Sequence, residues 1–103
     1  MFEYKGKQYE LKINLERQKY IESSMGGKSL IGEWANNQGM FSIMTCEIVF
    51  KFCLKEVGAD TFVDQNTAVL VCDGLIQEQG YPMVALLIHD AMQKDMPFLF
   101  HTN

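Results

Sequence analysis

Apolar and polar residues alternate at the start of the chain. Phe2-Glu3-Tyr4-Lys5 follows this pattern, and so does Tyr9-Glu10-Leu11-Lys12-Ile13-Asn14-Leu15. A period of two is the mark of a strand, because successive side chains point to opposite faces. It predicts a β-hairpin over residues 1–15, with Tyr9, Leu11, Ile13 and Leu15 on one face. Gly6-Lys7 supplies the turn, since glycine tolerates positive φ. A lone hairpin is marginal in water, so its apolar face needs something to pack against.

From Asn14 or Leu15 the period changes. Residues 16–25 are good helix formers, with Ile21 and Met25 four apart and Glu16 placed to complement the helix dipole. Gly26-Gly27 ends this helix. Ser29 is a candidate N-cap for a short helix carrying Leu30, Ile31 and Trp34, and Asn36-Asn37-Gln38-Gly39 reads as a loop. Residues 40–57 read as one long helix. It is apolar almost all round, with Glu47, Lys51 and Lys55 forming a narrow polar stripe at i, i+4 and i+8. Such a helix is expected at the centre of a core, closed by Gly58. Residues 64–79 admit two readings. One is a helix capped by Asp64, with Ala68, Val71, Cys72 and Leu75 along one side. The other is a second hairpin turning at Asp73-Gly74. Gln77-Glu78-Gln79 is poor strand chemistry and favours the helix. Gly80 then ends that helix, and Pro82 suits the first turn of a last one with Val84, Leu87, Ile88 and Ala91 inward. The fold class expected is α+β, an N-terminal β-hairpin packed on a bundle of four to five helices. Residues 1–103 are expected to form a single domain: the hairpin at 1–15, the bundle at 16–96 and an apolar tail at 97–103.

Composition narrows the classes further. Apolar residues make up 48% and charged residues 21%, which separates the chain from disordered sequences. No run of about 18 apolar residues is present, so no membrane span is expected. Met1-Phe2-Glu3-Tyr4-Lys5 is not the basic start of a signal peptide, and the expected location is the cytoplasm. Residues 59–103 hold six of the 13 acids but only Lys94 among the nine bases. No basic stripe is visible along the sequence, so nucleic acid is not an expected partner. The acidic half suits a basic or neutral protein.

Candidate chemistry is sparse. Cys46, Cys53 and Cys72 are odd in number and make no CxxC, so they are expected to be buried thiols. His89 and His101 have no metal-ligand spacing around them. Gly27-Lys28-Ser29 resembles the end of a phosphate-binding loop. However, the first glycine of GxxxxGK[ST] would fall at Glu22, whose carboxylate would repel a phosphate. No catalytic residue, metal or cofactor is expected. Seven methionines are a high count. Met25, Met40, Met44, Met83 and Met92 are expected in the core, and Met96 beside Pro97 is the one expected to be exposed. Protein contact is therefore expected at Trp34, Met96, Phe98, Leu99 and Phe100, where aromatic and apolar anchors are placed to dock on a partner.

The order of these segments is similar to one known family. The strand Gln8-Tyr9-Glu10-Leu11-Lys12-Ile13 runs into a helix bearing Glu22, then the turn Gly27-Lys28-Ser29-Leu30 and a largely apolar helix. Gly74-Leu75-Ile76-Gln77-Glu78-Gln79-Gly80 and an amphipathic last helix follow. The whole resembles the small tail assembly chaperones of long-tailed phages, prophages and gene transfer agents, and departs from them in its short apolar ending. The resemblance implies binding of the tape measure protein, recruitment of tail tube subunits and self-association as a homo-oligomer, without catalytic residues. The alternative is a small regulatory or toxin-neutralising adaptor of bacterial origin.

Overall fold

The structure, a computed structural model, describes residues 1–97. Strands β1 (Phe2–Tyr4) and β2 (Lys7–Leu11) form the hairpin, with Phe2 opposite Tyr9 and Tyr4 opposite Lys7. The turn lies at Lys5-Gly6, one residue earlier than expected. Both residues have positive φ, 49° and 80°, the backbone of a two-residue type I′ loop. Tyr9, Leu11 and Ile13 are buried as their alternation predicts. Leu15 is not, because the chain has by then left the strand and begun helix α1 (Leu15–Ser24). Asn14 caps that helix, its Oδ1 accepting from the Arg17 N–H at 2.8 Å. The Ile13 N–H is held by Asp95 Oδ2 at 2.9 Å, which ties the end of the strand segment to the last helix.

Helix α2 (Leu30–Asn36) is capped by Ser29 and helix α3 (Ile43–Cys53) by Ser42, each hydroxyl accepting from an N–H in the first turn. Cys46, Val49, Phe50 and Cys53 bury the inner face of α3, which packs against α1, α4 and α5. The expected helix over 40–57 is shorter at both ends. After Cys53 the chain extends into β3 (Leu54–Glu56), which pairs antiparallel with β2. Leu54-Lys55-Glu56 fits a helix locally, but it can satisfy the open backbone edge of β2 only as a strand. The hairpin thus becomes a three-stranded sheet in the order β1-β2-β3.

Residues 64–79 are helical, as favoured: α4 (Gln65–Gln79) is capped by Asp64. Gly80 ends it and opens α5 (Tyr81–Asp95), with Pro82 in the first turn. Sheet and helices share one hydrophobic cluster among the described residues, and the fold is α+β.

Gly74 explains why glycine stands inside a 15-residue helix. A Cβ at this position would collide with the ring and hydroxyl of Tyr4, which β1 lays across α4. Two effects therefore oppose one another. Alanine gains about 1 kcal/mol of helix propensity, but it must displace Tyr4. We expect Gly74→Ala to destabilise the native protein, and to stabilise the Tyr4→Ala variant by about 1 kcal/mol. Denaturant melts of the four proteins in this cycle measure the difference.

Glu47 on α3 shares a hydrogen bond with Asp73 on α4. This bond first, then burial and the repulsion of the second carboxylate, raises the Glu47 pKa from its usual 4.5. The folded chain thus keeps this proton to higher pH than the unfolded chain does. Its contribution to stability is complete below about pH 4.5 and is lost as pH rises through the raised value. Glu47→Gln keeps a donor for Asp73 at every pH. It is expected to raise the melting temperature near pH 7 and leave it unchanged near pH 4.

Candidate functional site

The turn between α1 and α2 is already occupied. Glu22 Oε2 accepts from the Leu30 N–H at 2.9 Å and from Gln18 Nε2 at 3.0 Å. Ser29 Oγ accepts from the Gly32 N–H at 2.9 Å. The Gly27, Leu30 and Gly32 amides are thus satisfied from within, and the Glu22 carboxylate at the start of α2 would repel an anion there.

The thiols are equally closed. Cys46, Cys53 and Cys72 are fully buried and free. Burial pushes Cys46 and Cys53 up to about 12, and it raises Cys72 further, so none is a thiolate at neutral pH. Among the described residues no group of three or more His, Cys, Asp or Glu could hold a metal ion. No helix among them is long and apolar enough to cross a membrane.

Of the residues expected to make protein contacts, Phe98, Leu99 and Phe100 lie outside the described residues. Met96 is corrected. It is 1% exposed, and its N–H donates to the Met92 carbonyl at 2.9 Å at the end of α5. An unbranched thioether fills this gap in the core, so the side chain expected to be free is inside. The reverse holds for Met40 and Met44, which were expected in the core but are 44% and 73% exposed. They stand at the start of α3, where Phe41 takes the inward position and Met44 falls on the outer side of the first turn.

Trp34 is half-buried on α2 and lines an open groove of about 360 Å³ between α2 and α5. Its ring stacks on the imidazole of His89, with centroids 5.5 Å apart and planes 5° from parallel. Gly39, Met40, Pro82 and Leu86 complete the apolar walls. Leu86 is 54% exposed. Two anchors hold the groove open. Glu33 spans from α2 to the cap of α3, accepting from the Ser42 N–H at 3.1 Å and from Thr45 Oγ1 at 2.9 Å. On the far side, the Tyr81 hydroxyl donates to the Phe41 carbonyl. The loop bearing Met40 is thereby fastened to both helices. A preformed apolar groove loses little entropy when a partner enters it.

The lining carries no carboxylate, thiol or hydroxyl among the described residues. What the groove offers is apolar area, one indole, one imidazole and the Gln38 carboxamide, a mostly apolar lining with a few polar groups to orient what binds there. Sequence reading found Trp34 but not Leu86. The signal was present: Val84, Leu87, Ile88 and Ala91 define the inward side of α5, and Leu86 falls off it, so an apolar residue there has no reason in the core. No family model, curated protein or solved structure matches this chain.

Proposed function

We propose that this protein is a tail assembly chaperone of a long-tailed phage or prophage. In this reading the groove between α2 and α5 shelters an apolar helical stretch of a tape measure protein until tail tube subunits assemble around it. The observation that supports it is the groove itself: Trp34, Met40, Pro82 and Leu86 line an open, mostly apolar trough of about 360 Å³. An amphipathic helix laid in such a trough inserts residues at i, i+3 and i+4 spacing. Exposed methionines suit it, because a flexible thioether adapts to many side chains along a long repetitive partner. Ile43 and Met44 at the start of α3 are exposed apolar side chains as well.

Co-expression tests the proposal. The partner to co-express is a tape measure protein of a long-tailed phage or prophage. It is expected to be recovered in the supernatant as a complex with the wild-type protein and to aggregate without it. Equal solubility in both cases would refute the proposal.

A further inference from the structure

Arg17, Lys51 and Lys55 are far apart in the sequence, but the fold strings them along one surface with three aromatic rings between. The Lys51 ammonium lies 5.6 Å from the Phe52 ring, and the Phe52 ring 5.9 Å from that of Tyr20. The Arg17 guanidinium stands 5.5 Å from Tyr20 and 3.7 Å from Phe62, and Lys55 lies 5.8 Å from Phe62. Helices α1 and α3, strand β3 and the segment after it all contribute to this continuous stripe. Arg17 is fixed in place, since its Nη1 donates to the Phe52 carbonyl at 3.2 Å.

None of the three cations makes an ion pair among the described residues. Glu10, opposite Lys55 in the sheet, is engaged by Lys12 at 3.6 Å. On a chain of net charge −4, three cations gathered without carboxylate partners are a local field of the opposite sign. Each is also seated on or beside a ring, which favours an incoming anion flanked by apolar groups.

We propose that this stripe binds an acidic amphipathic segment of a partner protein, whose carboxylates meet Lys51, Arg17 and Lys55 while its aliphatic side chains cover Tyr20 and Phe52. This goes beyond the groove between α2 and α5 and uses none of its residues. Single-stranded nucleic acid fits less well. One face of Phe62 is covered by Arg17, which removes a stacking platform, and three cations on an acidic protein neutralise few phosphates.

The test uses fluorescence anisotropy with a labelled synthetic helix carrying glutamates and leucines at i, i+4 spacing. Its counterpart with glutamine at every glutamate and a labelled oligothymidylate serve as comparisons. The proposal expects saturable binding of the acidic peptide. The Lys51→Gln/Lys55→Gln protein should bind it about fivefold more weakly, with an unchanged melting temperature. The glutamine peptide should bind more weakly, and Leu86→Glu should have no effect. Absent binding, equal binding by the double variant, loss of binding in Leu86→Glu, or tighter binding of the oligothymidylate would each overturn it.

Discussion

Phe50→Ala is expected to cost the fold about 3–5 kcal/mol, the range for deleting a fully buried aromatic ring. Phe50 has no exposed surface and sits on the inner face of α3, the helix that packs against α1, α4 and α5. Its ring centroid is 6.0 Å from that of Phe2, so the same side chain also seats β1 on the helices. A cavity at this position opens between sheet and bundle and cannot collapse without moving both. Domains of this size are usually stable by about 5–15 kcal/mol. The variant should therefore melt lower by roughly 4–8 °C for each kcal/mol lost, and Phe50→Leu should recover much of it. Denaturant unfolding of the three proteins measures this. A loss below about 1 kcal/mol, the centre of the range for ordinary substitutions, would mean that α3 is not the centre of the core.

The largest functional effect is expected from Leu86→Glu. This side chain is mostly outside the core, so its removal leaves the fold within about 0.5 kcal/mol. In the groove, a glutamate sets an unpaired charge against the apolar partner side chain that Leu86 would meet. Anchor positions of this kind typically carry 2 kcal/mol or more, which is roughly 30-fold in affinity. The variant should fold and melt like the wild type yet fail to keep a co-expressed tape measure protein in solution. Met40→Glu should act in the same direction from the opposite wall. Leu70→Glu, on the exposed side of α4 and outside the groove, is the control expected to leave binding intact. Capture of the partner from co-expressing cells, read alongside the melting curves, separates loss of contact from loss of fold.

The legible parts of the fold were those decided by local pattern. The hairpin followed from alternation over Tyr9–Ile13, and α4 from its Asp64 cap and the inward side of Ala68, Val71, Cys72 and Leu75. Gly74 looked like a flaw in that helix until Tyr4 was found lying across it. What escaped was decided by distant segments. Leu54–Glu56 continues the helical stripe of Glu47 and Lys51, and only the unpaired edge of β2 turns it into a strand. Met40, Met44 and Met96 exchanged their expected places because methionine suits core and surface equally, so the type of side chain carries no direction. Trp34 could be singled out as an anchor, but its partner surface on α5 could not, since Leu86 and His89 meet it only after folding. The run of Arg17, Lys51 and Lys55 was invisible for the same reason: cations spread over 39 residues make no stripe until three elements converge.

The most direct measurement is amide hydrogen exchange on the complex with the co-expressed helical partner, compared with the free protein. Protection is expected to rise in α2 around Trp34, in the loop carrying Met40 and in the first half of α5 around Leu86, and to stay unchanged in α4 around Leu70. Protection gained elsewhere, with the segments at Trp34 and Leu86 exchanging as they do in the free protein, would contradict docking in the groove.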